Sequence, residues 1–347
     1  MERGSHKYSD CYDLQRLKYY TVDGSGKLVA RRDEVGPVID FHTHLGMSFV
    51  FGPRLNLMRQ PGRVNYFFPY RGTPVDLDLY SAQCFTAEDA KKTAYECARA
   101  GWSGKGYMST HTIPNHLEDM DRMGVTHSVT LAIEYPWGLS DNTRNFMRSI
   151  AGEPRLICFG SVHPYDRGIE DKIDRCVKLG AVGIKLHPAQ QFFNASNKRA
   201  RIIYEVCQAR GLPILFHTGH SDIQPKFAED FPAIKYFRDP VRDFPNLIFI
   251  LGHSGIHQYK EAIELGRKHE NVYLETSGQS PQHILEMVDG MGEDRILFGS
   301  DWAFYAIELP LAKALVATEG NTRLREKILR KNAIRLLRER CGITIEK

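Results

Sequence analysis

The segment Val38-Ile39-Asp40-Phe41-His42-Thr43-His44-Leu45-Gly46 decides how the rest of the chain is interpreted. A short apolar run, typical of a buried strand, ends there in two histidines that are one residue apart. Residues two apart on a strand face the same side, so His42 and His44 can act together as ligands of one metal ion. Alone the motif is weak, because a histidine pair in a strand is more often structural. The ends of the remaining strands must show whether this pair belongs to a metal site.

Seven further short apolar segments follow, mostly about 25 to 35 residues apart, with helix-like segments between them. The eight predicted strands lie near residues 38–44, 128–133, 155–162, 182–187, 213–217, 247–253, 272–276 and 295–301. Their nearly continuous apolar character is typical of parallel strands buried on both faces. Eight strand–helix units predict an α/β fold of the (β/α)8 TIM-barrel type. The alternative is an open doubly wound sheet, although no Gly-X-Gly-X-X-Gly motif supports a dinucleotide site.

Two segments lie outside this regular pattern. Residues 1–36 are expected to form an N-terminal arm with a hairpin around Asp23-Gly24-Ser25-Gly26, ahead of the barrel domain at 37–347. After the first strand, an irregular insertion at about 47–110 is rich in glycine, proline, aromatic residues and arginine. We expect it to form a lid or a subunit contact, or merely to pack on the surface. The chain is expected to form a homodimer.

The composition excludes several classes of protein. A net charge of +4 over 347 residues, with no long basic run, argues against a nucleic-acid-binding protein. No apolar run approaches the roughly 18 to 20 residues of a membrane span, and the first residues lack the apolar core of a signal peptide. The seven cysteines form no Cys-X-X-Cys pair, as expected for reduced thiols in a cytoplasmic protein.

Polar residues stand at the C-terminal ends of the predicted strands, where TIM barrels hold their active sites. These residues are His42, His44, Lys185, His187, His217, His253 and Asp301. Imidazoles that converge with a carboxylate predict one divalent transition metal, with Zn²⁺ preferred and Mn²⁺, Fe²⁺ or Co²⁺ as substitutes. Three histidines and one aspartate would leave an open coordination position, which is typical of a catalytic site.

Four phrases in the chain resemble the amidohydrolase superfamily, in its amidohydrolase-related branch. They are Gly183-Ile184-Lys185-Leu186-His187-Pro188, Leu251-Gly252-His253-Ser254-Gly255, Leu297-Phe298-Gly299-Ser300-Asp301-Trp302 and Lys331-Asn332-Ala333-Ile334-Arg335-Leu336-Leu337. That branch includes aminocarboxymuconate semialdehyde decarboxylase and related aromatic-acid decarboxylases, besides lactonases and other hydrolases. The resemblance covers roughly residues 37–340 and is specific for the superfamily rather than for a substrate.

The resemblance implies roles for the polar residues. One metal ion would be held by His42, His44, His217 and Asp301. His253 would polarise the substrate or join the metal ligands. Asp301 would take a proton from a metal-activated water and return it to the leaving group.

The remaining candidates are substrate contacts. Lys185 would bind a substrate carboxylate, pair with an acid or, in carboxylated form, bridge two metals, and we favour a single metal. His187 and Trp302 are further candidates for substrate contact. Weaker candidates are His111, His163 and His220, and Glu275 either lines the pocket or packs as an ordinary core residue.

These residues predict a metal-dependent hydrolase acting on a small, carboxylated organic substrate through a metal-activated water. The alternative is a non-oxidative decarboxylase, a lyase, of an aromatic or unsaturated carboxylic acid, because both reactions use a metal to organise a carbonyl or carboxylate. A third hypothesis is a barrel whose metal serves binding or structure only. The fold cannot choose between them.

Overall fold

The computed structural model describes residues 6–49, 54–60, 62–220 and 226–345. Its strands are β1 (Lys7–Tyr8), β2 (Tyr20–Val22), β3 (Leu28–Ala30), β4 (Val38–Thr43), β5 (Val75–Asp76), β6 (Val125–Leu131), β7 (Leu156–Ser161), β8 (Gly183–Leu186), β9 (Ile214–His217), β10 (Phe249–Gly252), β11 (Val272–Glu275) and β12 (Ile296–Leu297). Its α-helices are α1 (Arg32–Val35), α2 (Ala87–Ser103), α3 (Ile113–Met123), α4 (Asn142–Ser149), α5 (Ile169–Lys178), α6 (Pro188–Gln191), α7 (Ala200–Arg210), α8 (Arg238–Asp243), α9 (Tyr259–Lys268), α10 (Pro281–Met291), α11 (Glu308–Ala317), α12 (Thr322–Glu326) and α13 (Asn332–Cys341).

Eight parallel strands form the central sheet in the order β4-β6-β7-β8-β9-β10-β11-β12. The first strand then meets the segment after the last one, which brings the two edges of the sheet together. Phe41 N donates to the carbonyl of Phe298 over 2.9 Å, and Asp301 N donates to the carbonyl of His42 over 2.7 Å. The predicted TIM barrel is therefore confirmed, and its closure lies beside the His-X-His motif.

Burial explains why these segments are strands. Apolar side chains from strands around the barrel form one buried cluster, which includes Ile39, Phe41, Val129, Leu131, Ile157, Phe159, Leu215, Ile250, Tyr273 and Leu297. Residues with known end preferences also set the ends of the helices. Ser280 caps the N-terminus of α10, with its hydroxyl accepting from His283 N, and Pro281 occupies the first helical position. Helix α3 stops at Gly124, whose φ of 80° favours glycine.

The N-terminal arm and the insertion are joined by a short antiparallel pairing of β1 with β5. The arm contains the predicted hairpin, formed by β2 and β3. The insertion is less irregular than expected, because it holds the 17-residue helix α2. Many of the residues of α2 are good helix formers. The glycines and prolines elsewhere in the insertion made the whole segment look irregular in the sequence.

The insertion lies against the loops that follow the last two barrel strands. Phe67 N and Phe68 N donate to the carbonyls of Ala303 and Phe304 over 3.3 and 2.8 Å. Further along the insertion, the carbonyl of Leu79 accepts from Nζ of the buried Lys313 over 2.6 Å. The same ammonium group donates to the carbonyl of Gly278 over 3.2 Å. The insertion is thus fixed to the C-terminal side of the barrel, where Asp301 stands.

In the part of the chain that the structure describes, no helix is long and apolar enough to cross a membrane.

The last barrel strand is shorter than predicted, because regular pairing ends at Leu297. The next three residues form a loop that leads to Asp301, whose φ is 59°.

Candidate metal centre

The two histidines of the opening motif bring their ring nitrogens together at the end of β4. His42 Nε2 lies 3.2 Å from His44 Nε2. The carboxylate of Asp301, which follows β12, places Oδ1 at 3.7 Å from the first nitrogen and 3.6 Å from the second. These three groups form a compact set of metal-ligand atoms. The His-X-His motif and the aspartate, far apart in sequence, thus lie together in the structure, and their role as metal ligands stays a prediction.

The second nitrogen of each ring, Nδ1, already has a hydrogen-bond partner. His42 Nδ1 lies 2.7 Å from the buried carboxylate of Glu275, and His44 Nδ1 lies 2.9 Å from the carbonyl of Leu131. Both partners are acceptors, so each Nδ1 carries the proton and each Nε2 offers its lone pair inward. Two inward lone pairs and a carboxylate thus form one set of donor atoms. A divalent metal fits this set of donors.

Lys185, at the C-terminal end of β8, is the protein's own cation at this point. Its Nζ lies 3.3 Å from His42 Nε2, and its side chain is fully buried. Burial lowers the pKa of Lys185 to about 7, although the charges of Asp301 and Glu275 oppose that change. Burial also raises the pKa of Asp301 well above its usual value, opposed by the charge of Lys185. Each group therefore favours the charged form of the other.

His253 comes directly after β10, and its ring lies 4.7 Å from that of His42, centre to centre. Its backbone N donates to Glu275 Oε2 over 3.1 Å, and its Nδ1 lies 2.7 Å from Ser277 Oγ. Burial lowers the pKa of His253 well below the usual value, so the ring is neutral. His253 and Asp301 both have a φ of 59°, a left-handed conformation that costs about 1–2 kcal/mol in a non-glycine residue. Hydrogen bonds from both backbone N–H groups hold this conformation.

The remaining predicted histidines lie next to this set. The ring of His217, at the end of β9, stacks on that of His187 with centres 4.0 Å apart and an interplanar angle of 9°. It also lies 4.7 Å from the ring of His253. His217 is thus close to the centre but outside the compact set of His42, His44 and Asp301. Its role as a fourth ligand stays a prediction, as does the substrate contact of His187.

Trp302 is fully buried rather than exposed to the pocket in this structure. Its ring packs on His116 with centres 4.2 Å apart, and its Nε1 donates to Asp119 Oδ2 over 2.8 Å. Its carbonyl accepts a hydrogen bond from His44 N. The described contacts of Trp302 are therefore with His116, Asp119 and the backbone of His44. Its predicted contact with substrate stays untested.

The three weaker histidine candidates have ordinary contacts. His111 Nε2 donates to the carbonyl of Asn65 over 2.8 Å, and His163 Nε2 donates to the carbonyl of Gln191 over 2.8 Å. His220 lies 3.5 Å from the carboxylate of Glu229. These contacts explain the first two histidines as supports for loops.

The comparison of sequences identifies the family. The sequence profile of the amidohydrolase family matches residues 117–338, which is more than half of the chain. The chain belongs to the amidohydrolase family. No curated protein matches the sequence of this amidohydrolase.

Solved structures share the barrel of this amidohydrolase at low sequence identity. An uncharacterised TIM-barrel protein from Bordetella bronchiseptica has a TM-score of 0.61 at 17% identity, over 88% of this chain and 100% of its own. The 5-carboxyvanillate decarboxylase of Novosphingobium aromaticivorans, solved with manganese and a nitrobenzoic acid, has a TM-score of 0.59 at 16% identity, over 88% and 97% of the two chains. A probable 2-pyrone-4,6-dicarboxylic acid hydrolase from Acinetobacter baumannii has a TM-score of 0.51 at 14% identity, over 88% and 99%. These similarities show the fold.

Sequence reasoning missed two buried acids around the amidohydrolase site, Asp40 and Asp119, and left the role of a third, Glu275, open. Glu275 contacts both His42 and His253, whereas the sequence left open whether it lines the pocket or packs as an ordinary core residue. Asp40, two residues before His42 on β4, accepts from Ser300 N over 2.9 Å and from His42 N over 3.1 Å. Asp119 binds Trp302 from α3. Asp40 and Glu275 interrupt apolar strands, which could have marked them, but Asp119 looks like an ordinary polar residue of a helix.

Proposed function

We propose that this amidohydrolase is a metal-dependent enzyme that acts on a small carboxylated organic molecule and removes its carboxylate as CO₂. The observation that carries the proposal is the arrangement of His42, His44 and Asp301 around one point, with the buried cation Lys185 beside them. A divalent ion bound to these donors would hold the substrate and withdraw electrons from the bond that breaks. The family and the donors support such an ion, and we propose Zn²⁺ or Mn²⁺.

The side chains supply the other parts of the reaction. Lys185 can pair with the substrate carboxylate, because its Nζ is buried beside His42 and the charges of Asp301 and Glu275 favour its ammonium form. Asp301 can accept and return a proton through its carboxylate, which stands beside His42 and His44. In decarboxylation the carbon–carbon bond breaks, CO₂ leaves, and the carbon keeps the electron pair. The proton of Asp301 then completes the product, and a proton from solvent restores the acid.

Hydrolysis is the second candidate, and the sequence favoured it. The same Asp301 would accept a proton from the attacking water and return it to the leaving group. Of the two neighbours described above whose names state a reaction, one is a decarboxylase and one a probable hydrolase, and both names include carboxylated ring compounds. We place decarboxylation first because the neighbour with the higher TM-score is a decarboxylase, and the described residues serve either reaction.

Two measurements test the proposal. Elemental analysis of the purified protein is expected to find about one transition metal per chain, and a value near two would contradict the single-metal arrangement. Hydroxybenzoates and ring dicarboxylates are then assayed in parallel for released CO₂ and for released acid, with the metal-stripped protein as control. Release of CO₂ supports decarboxylation, and release of acid alone supports hydrolysis. If the protein binds metal but releases neither product, a binding role is favoured and the proposal is overturned.

A further inference from the structure

Glu275 is the most heavily bonded carboxylate beside the centre. Its Oε2 accepts from His42 Nδ1 over 2.7 Å, from His253 N over 3.1 Å and from Ser277 Oγ over 2.8 Å. Its Oε1 accepts from Ser277 N. Two of these donors are backbone N–H groups, which can only donate. The side chain is fully buried, so the carboxylate is stabilised by these bonds in place of water.

The position of one hydrogen follows from these contacts. Ser277 Oγ lies 2.8 Å from Glu275 Oε2 and 2.7 Å from His253 Nδ1, but it has a single hydrogen to donate. A carboxylate is an acceptor only, so the hydroxyl hydrogen points to Glu275. Ser277 Oγ therefore accepts at its other contact, and the proton of the neutral His253 ring must be on Nδ1.

We propose that Glu275 is a positioning residue that fixes the Nδ1–H tautomer of His42 directly and that of His253 through Ser277. The inference rests on the proposed metal centre for its functional meaning. Both rings then keep an Nε2 lone pair for the site. His253 consequently serves as a metal ligand or a proton acceptor, and not as a hydrogen-bond donor that polarises the substrate, which was the other role that the resemblance implied.

The first test needs no metal and no substrate. Metal-free protein labelled with ¹⁵N-histidine reports which ring nitrogen carries the proton, and His42→Gln and His253→Gln assign the signals by their loss. In the wild type both rings are expected to be protonated on Nδ1. Ser277→Ala is expected to change the tautomer of His253 and leave that of His42. Glu275→Gln is expected to change both, because an amide cannot accept at all the contacts of a carboxylate.

Glu96→Gln is the matched control, since Glu96 is a buried glutamate of α2 that accepts from Tyr107 N, outside the barrel. It is expected to change neither tautomer. A wild-type His253 protonated on Nε2, or a Ser277→Ala variant with unchanged signals, would overturn the proposal. Ser277→Ala removes only a hydroxyl, so this outcome can be read even if Glu275→Gln does not fold.

The second test measures the affinity of the metal-free protein for Zn²⁺ alone, by competition with a chelator. Loss of such a partner of a ligating histidine typically costs about 10- to 100-fold in affinity. Glu275→Gln is expected to show that loss and Glu96→Gln none. Equal affinities of wild type and Glu275→Gln would contradict the role of Glu275. If the wild type binds no Zn²⁺, the proposed function fails, while the tautomers are decided by the first test.

Discussion

Trp302 Nε1 donates a 2.8 Å hydrogen bond to Asp119 Oδ2, and this bond links the loop that carries Asp301 to α3. Tyr66, in the insertion, donates to the same oxygen over 2.5 Å, and Arg122 pairs with the other oxygen of Asp119. The insertion therefore contacts the residue next to a predicted metal ligand through one shared carboxylate. This gives Tyr66 a structural role near the site.

Replacing Trp302 by phenylalanine tests that link. The ring volume is mostly kept, but Asp119 loses one donor, so the free energy of unfolding is expected to fall by about 1–3 kcal/mol. Urea unfolding monitored by circular dichroism measures the change. Trp137→Phe is the control, because Trp137 is 70% exposed and the change there should stay within about 0.5 kcal/mol. Equal effects of the two substitutions would contradict the importance of the bond.

Gly299 leaves no room for a side chain beside the metal centre. A Cβ on Gly299 would lie 2.3 Å from Glu275 Oε1 and 2.7 Å from the Cβ of His42. Gly299→Ala is therefore expected to cost about 1–3 kcal/mol of stability and to weaken Zn²⁺ binding by displacing both side chains. Gly24→Ala, in the turn between β2 and β3, meets no atom within 4 Å and serves as control. Unchanged Zn²⁺ affinity in Gly299→Ala would argue against this packing.

Asp301→Asn should leave the fold intact while turnover falls by about 10²-fold or more, because an amide cannot carry the proton. Circular dichroism checks the fold, and release of CO₂ or acid measures turnover. Asp174→Asn, which removes a surface carboxylate of α5 paired with Arg210, is expected to keep full activity. Undiminished turnover in Asp301→Asn would remove this residue from the reaction.

Lys313 should make stability depend on pH. Burial lowers its pKa from 10.5 to about 8 in the folded protein. Between these values the unfolded chain binds the extra proton, so this residue makes stability rise with pH from about 8 to 10.5. Lys313→Met removes that contribution. The difference in unfolding free energy between wild type and variant, measured between about pH 7.5 and 9.5, should therefore shift in favour of the wild type. A constant difference would contradict the lowered pKa of Lys313.

The barrel could be predicted because its strands are buried on both faces and appear as apolar runs that end in polar residues. His42, His44 and Asp301 were found in that way, since each stands where a predicted strand ends. The bonds that orient these ligands could not be predicted. Glu275 and Ser277 reach His42 and His253 only after the strands are arranged around the barrel. Asp119 meets Trp302 from an outer helix, and helical periodicity carries no information about such a contact.

The barrel closes where Asp301 N meets the carbonyl of His42, and the compact ligand set spans that closure. During synthesis the two histidines leave the ribosome long before the aspartate, so the complete set of donors forms only when the first and last strands have met. A metal ion bound there would have ligands from both edges of the sheet and would hold these edges together. Metal affinity and the completion of folding would then be linked, and incompletely folded chains would hold the ion weakly.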